Sequence, residues 1–234
     1  MKDEKILISD YDQTLYLNDE DMDKNKIAIK KFREKGNIFV IATGRSYFDF
    51  HNKVDLYNFE YDYVIINHGA TILDKNNNVF TNFSIKNEII DNIKNDLQLE
   101  KSLKGFCCSK LDSRVNFNHK DLTKINVRYN SKEEAMAINK TINDKYANFV
   151  NSYYVTENSL EIISNEINKS KAIDILLKEL NVSRDNAYTI GDGYSDIEMV
   201  KDFNGYAMVN SVDELKNIAK KQYKSVSELI NDIM

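Results

Sequence analysis

A chain of 234 residues with a formal net charge of −5, 42% hydrophobic and 29% charged, is long enough for one large domain or two small ones around a sizeable core. The acidic balance, with a sequence pI near 5.4, argues against nucleic-acid and anionic-membrane partners, since both need a basic face. No apolar run nears the roughly 18 residues of a membrane span, and the charged start Met1-Lys2-Asp3-Glu4-Lys5 lacks a signal-peptide core, so a cytoplasmic protein is expected.

The run Ile6-Leu7-Ile8 has the character of a buried parallel strand and leads into Asp10-Tyr11-Asp12-Gln13-Thr14-Leu15. In extended chain, residues two apart project to one side. Asp10 and Asp12 are therefore expected to face one point past the strand's C-terminal end, where open α/β sheets bind ligands. Taken alone, the stretch also reads as a solvated acidic turn with Thr14 capping a helix. Residues 23–35 are expected to be helical, with Ile27, Ile29 and Phe32 on the apolar face and Gly36 as the stop. A second buried strand over 37–42 ends in Thr43-Gly44-Arg45-Ser46, and a helix follows from Ser46. A third apolar run, 61–66, ends in Asn67-His68-Gly69-Ala70. Strand alternating with helix predicts a parallel, doubly wound sheet.

The pattern changes near Asp74. After a polar turn over 75–78 the sequence predicts a helix over 86–99 and strands over 103–109, 114–117 and 124–129. A helix over 131–146 follows, with Ser131 and Glu134 in capping-box spacing, and then strands over 149–155 and 160–164. This is an α+β order, so the expected organisation is a core over 1–75, an inserted α+β domain over 76–164 and the returning core over 165–234. In the last part, a helix is expected over 169–180 and a strand over 187–190. The strand ends in Gly191-Asp192-Gly193-Tyr194-Ser195-Asp196, a helix continues over 196–200, and strands over 205–209 and around Tyr223 precede a terminal helix. Cys107 and Cys108 are adjacent and read as packing residues, and His51, His68 and His119 lack metal-ligand spacing.

Four polar clusters thus fall at the ends of core elements: Asp10 with Asp12, Thr43 with Gly44, Lys169, and Asp192 with Asp196. Each has a plain explanation by itself: a strand-to-helix turn at Thr43-Gly44, a solvated lysine, and turn or capping aspartates. Gathered at one sheet edge, they suit phosphoryl transfer. Asp10 is a carboxylate nucleophile for phosphorus. Asp10 and Asp192 offer hard oxygens for magnesium, which offsets the repulsion between Asp10 and a phosphate. Thr43 can donate to a phosphate oxygen, and Gly44 lets the backbone approach it. Lys169 places positive charge on the transferring group. Asp12 remains as general acid and then base.

These motifs resemble those of the haloacid dehalogenase superfamily of phosphatases, specifically the Cof-like subclass IIB. Its Asp-x-Asp-x-Thr-Leu matches Asp10, Asp12, Thr14 and Leu15, and its Thr-Gly-Arg matches Thr43, Gly44 and Arg45. Its lysine motif resembles Lys169-Ser170-Lys171-Ala172-Ile173, and its Gly-Asp-x-x-Asn-Asp-x-x-Met resembles Gly191, Asp192, Ser195, Asp196 and Met199. Its Asn-Gly-Ala signature appears as Asn67-His68-Gly69-Ala70. The resemblance implies a Rossmann-like core with an inserted cap acting as a lid. It implies a phosphoaspartate on Asp10, a magnesium shell of Asp10, the Asp12 carbonyl, Asp192 and Asp196, and a small phosphorylated metabolite such as a sugar phosphate as substrate. It puts Arg45, Asn67, His68 and Ser195 near that substrate, with Lys124, Arg128, Tyr153 and Glu157 as cap candidates for reading the leaving group. The sequence departs from the family pattern at Gln13, Ser170, Ser195 and the extra His68. Two other readings are a phosphotransferase such as a phosphohexomutase of the same superfamily, and a receiver-type phosphoaspartate domain. The second leaves the inserted segment without a purpose.

Overall fold

The computed structural model describes residues 4–156 and 158–234; Glu157 lies outside them. The chain opens with β1 (Ile6–Ser9), α1 (Asp19–Glu34), β2 (Ile38–Ala42), α2 (Tyr47–Tyr57) and β3 (Tyr63–Ile66). A hairpin follows, β4 (Thr71–Asp74) and β5 (Val79–Asn82). Then come α3 (Asn87–Asp96), β6 (Lys104–Ser109), β7 (Asp112–Val115), β8 (Lys124–Arg128), α4 (Lys132–Tyr146), β9 (Val150–Thr156) and β10 (Ser159–Ser164). The chain closes with α5 (Lys169–Leu180), β11 (Ala187–Gly191), α6 (Ile197–Asp202), β12 (Asn204–Met208), α7 (Asp213–Ile218), β13 (Gln222–Tyr223) and α8 (Val226–Ile233).

The strands form two sheets. The larger runs β13-β12-β11-β1-β2-β3-β4-β5, parallel except at β4 and β5. Its central strands are apolar on both sides because both faces are covered. Leu7, Phe39, Ile41, Val64 and Ile66 face α1, α2 and α8. Their neighbours Ile6, Ile8, Val40, Ala42 and Ile65 face α5, α6 and α7. The strand period of two thus sends alternate residues into separate layers, as a doubly wound sheet requires.

The smaller sheet is antiparallel, in the order β7-β6-β8-β10-β9. Its Ile125, Val127, Leu160 and Ile162 pack on α3 and α4 through Ile89, Ile93, Ile138 and Ile142. The intervening Lys124, Asn126 and Glu161 therefore point to the other face, toward the larger sheet. The expected start of the insertion at residue 76 falls in the β4–β5 turn, and β5 pairs with β4 in the larger sheet.

Helix α1 begins four residues earlier than the apolar periodicity indicates. Asn18 caps it by accepting from the Asp21 N–H at 3.0 Å, and Asp19, Glu20 and Asp21 fill the first turn. A side-chain cap contributes about 1 kcal/mol, and acids at a helix N-terminus oppose its dipole favourably. The acidic run that looks like loop in sequence is therefore the start of the helix.

Candidate active site

The parallel strands β1, β2 and β11 end side by side, and three of the four polar clusters sit on the loops that leave them. Asp10 is still tied to the sheet, its N–H donating to Ile190 O at 3.0 Å, and its side chain is buried. Asp192 follows the end of β11, and Thr43 follows β2 with its N–H on Ile65 O at 2.8 Å. Lys169 is the first residue of α5, whose N-cap Asn168 accepts from the Lys171 N–H at 2.8 Å. The strand-end rule for open α/β sheets accounts for Asp10, Thr43 and Asp192, whereas Lys169 arrives at the same edge from the start of α5, where the chain returns from β10 of the smaller sheet.

Lys169 Nζ lies 2.6 Å from Asp10 Oδ1 and 2.6 Å from Asp196 Oδ1. Asp196 Oδ2 accepts the N–H groups of Asp192 and Gly193 at 3.1 and 3.0 Å. Gly191 permits this close turn, since a Cβ there would stand 2.5 Å from the Asp196 carboxyl carbon. Thr14 caps no helix; its hydroxyl donates to Asp192 Oδ1 at 2.6 Å. Carboxylate oxygens of Asp10, Asp192 and Asp196 all lie within 4.8 Å of one another.

Burial, against the pull of Lys169, pushes the Asp10 carboxyl well above the ordinary carboxylate range, and Asp196 and Asp192 push the same way. Burial also raises Asp192 to about 6, against the Thr14 hydrogen bond, with Asp196 adding to the rise. For Lys169, burial disfavours the charge, but Asp10 and Asp196 outweigh it and keep the ammonium protonated. Three clustered carboxylates with one lysine leave an excess of negative charge on hard oxygens. That donor set fits a small divalent cation such as magnesium.

Asp12 stands apart from this cluster. Its two oxygens are held by Arg45 Nε at 2.7 Å and Nη2 at 2.6 Å, and Arg45 also lies over the Tyr11 ring at 5.5 Å. The expectation that Asp10 and Asp12 converge holds for the cavity they both line but not for their oxygens. The chain turns sharply after Asp12: Gln13 has φ 61°, in the left-handed region that glycine fills in the family motif.

A cavity of about 820 Å³ covers the site. The larger sheet contributes Asp10, Asp12, Thr43, Gly44, Arg45, His68, Lys169, Asp192, Ser195 and Asp196. The smaller sheet contributes Lys124, Tyr153, Tyr154, Val155 and Glu161. Asn67, expected near substrate, is buried outside this lining, with its amide 3.5 Å from Thr123 Oγ1. Arg128 points to solvent and bonds Asn158 at 3.0 Å. Glu161 was not foreseen. A lone acid between Leu160 and Ile162 reads as a solvated strand face, and only its facing loop reveals that it is enclosed.

The chain belongs to the haloacid dehalogenase-like hydrolase family, whose model matches residues 7–120 and 108–229. It is 26% identical over 227 residues to the Bacillus subtilis 5-amino-6-(5-phospho-D-ribitylamino)uracil phosphatase YcsE, covering 93% of this chain and 88% of that one. Among solved structures, a haloacid dehalogenase-like hydrolase from B. subtilis superposes with a TM-score of 0.83 at 19% identity, over 98% of this chain and 100% of that one. The subclass IIB sugar phosphatase BT4131 superposes with a TM-score of 0.78 at 16% identity, over 98% of each chain. Within its family the protein is a Cof-like phosphatase, a phosphoric monoester hydrolase.

Proposed function

We propose that this phosphatase depends on magnesium, carries the phosphoryl group on Asp10 and hydrolyses small phosphorylated metabolites of the sugar-phosphate type. The observation that carries the reading is the buried Asp10–Lys169–Asp196 bridge, with both contacts at 2.6 Å, on the floor of a cavity lined from both sheets. Asp10, Asp192, Asp196 and the Asp12 carbonyl would hold magnesium, which would supply the positive charge that lets a phosphate dianion approach a carboxylate.

Asp10 Oδ attacks phosphorus, and the bond to the leaving oxygen breaks. Lys169 and the Thr43 hydroxyl meet the charge on the phosphoryl oxygens. Asp12 gives its proton to the leaving oxygen, then takes one from the water that cleaves the phosphoaspartate. Both Asp12 oxygens accept from Arg45, so Arg45 has to leave Asp12 during turnover for a carboxyl oxygen to reach the leaving group. The substrate phosphate in the same cavity is the competing acceptor for Arg45.

Residues 83–164 serve in this reading as a lid. A cavity of about 820 Å³ lies within the roughly 300–1,000 Å³ of small-molecule sites, and closure over it excludes water from the transfer step. The name of the sugar phosphatase neighbour and that of the ribityl phosphate relative support a polyhydroxylated leaving group. Among the described residues no helix is long and apolar enough to cross a membrane, and a cytoplasmic location accords with a metabolite substrate. A screen of phosphorylated metabolites beside phosphopeptides tests the substrate class. At least one small phosphoester should exceed every phosphopeptide in kcat/KM, and the reverse order would overturn the lid reading.

A further inference from the structure

The smaller sheet brings several polar groups to one spot. Asn126 and Tyr153 are the cross-strand neighbours of Glu161, and Lys124 lies two residues before Asn126 on the same face. Glu161 is bound on both oxygens. Oε1 accepts from Lys124 Nζ at 2.7 Å and from the Asn126 amide at 3.0 Å, and Oε2 lies 2.6 Å from His68 Nε2. Lys124 Nζ also donates to the Gly44 carbonyl at 2.6 Å. His68 and Gly44 belong to loops of the larger sheet, so the set spans the seam between the two sheets. Lys124 is 2% exposed and His68 5%.

The point of attachment on the larger sheet is the loop read as the phosphate site. The Gly44 carbonyl shares a rigid peptide plane with the Arg45 N–H, and that N–H donates to Thr43 Oγ1 at 3.1 Å. Pulling on the Gly44 oxygen therefore turns the donor that orients the Thr43 hydroxyl. With a lone pair so occupied, the hydroxyl keeps its proton for an acceptor in the cavity. His68 grips the same loop from another side. Its N–H donates to Thr43 O at 3.0 Å, and a Cβ on Gly44 would stand 2.4 Å from its ring.

We propose that Lys124, held by Glu161, is a positioning residue for phosphoryl transfer: it ties the seating of the smaller sheet to the shape of the Thr43–Gly44 loop. The inference rests on the reading of that loop as the phosphate site. The chemistry of the seam suits a lid that has to open. Buried charges lose solvation when docked and regain it when parted, so a paired seam selects one register with little net gain from staying shut. An apolar seam of the same area would resist parting, because every opening would return that area to water.

The test measures kcat and KM for p-nitrophenyl phosphate with magnesium, and the inhibition constant of inorganic phosphate, in wild type, Lys124→Met, Lys124→Arg and Glu161→Gln, with thermal midpoints alongside. Lys124→Met is expected to lower kcat/KM about a hundredfold, the scale of a misplacement near 1 Å, and to weaken inorganic phosphate. Lys124→Arg keeps donors for both Gly44 and Glu161 and should recover most of the loss, whereas Glu161→Gln should fall between. A folded Lys124→Met enzyme that turns over aryl phosphate and binds inorganic phosphate as wild type does would overturn the proposal. So would a loss on aryl phosphate with inorganic phosphate bound as tightly as by wild type, which would make Lys124 a leaving-group contact. If Lys124→Met does not fold, Glu161→Gln carries the same comparison, since it leaves Lys124 present but weakly held. Failure of the underlying site reading has a separate signature, an Asp10→Asn enzyme that still turns over.

Discussion

At the scale of single residues, Lys169 holds the site together: one ammonium touches two of the three clustered carboxylates at 2.6 Å each. Replacing it with alanine should lower kcat by roughly 10²–10³, the loss typical of one electrostatic contact made in the transition state. Steady-state kinetics on an aryl phosphate measure this, and near-normal turnover would mean the ammonium does not meet the transferring group. That Asp10, Thr43, Lys169, Asp192 and Asp196 come together around one cavity was legible because each lies at a recognisable element boundary. The partners of Asp12 and Thr14 were not. Arg45 reaches Asp12 from 33 residues away and Thr14 reaches Asp192 across 178, and no local pattern encodes such a pairing. Thr14 carries the signature of a helix cap, yet the cap is Asn18, because the chain first turns through Gln13.

At the scale of elements, α5 was readable to the residue because an Asn cap precedes a clean apolar periodicity. The β4–β5 hairpin was not foreseen. Its strands are four residues each, too short for alternation to stand out from the strand before. On β10, the alternation around Glu161 marks the outward face correctly and says nothing of what that face meets. Burial alone would raise the Glu161 carboxyl, but the Lys124 ammonium and the His68 ring override it and hold it well below its ordinary value of 4.5. A carboxyl depressed in the folded state contributes stability that is complete above the unfolded value and is lost as pH falls below it. Urea midpoints of wild type and Glu161→Gln should therefore differ most near neutral pH, and the gap should narrow below about 4.5. A gap independent of pH would show that the carboxylate is not charged and paired across the seam.

At the scale of the molecule, two sheets of different construction enclose one cavity. The parallel core was predictable from the alternation of apolar runs and helices, and the insertion from the break in that alternation. How the smaller sheet sits over the core was not, because docking depends on faces and loops that come together from distant parts of the chain. The arrangement leaves the strand ends of the core as the chemical floor and the outward face of β8, β9 and β10 as the roof. The most direct test of the account is to quench the magnesium-loaded enzyme in acid during turnover of a ³²P-labelled phosphoester and to locate the label by peptide mapping. The account predicts label on Asp10, none in Asp10→Asn, and none after the metal is removed with chelator. Label on another residue, His68 included, or undiminished turnover by Asp10→Asn would contradict it.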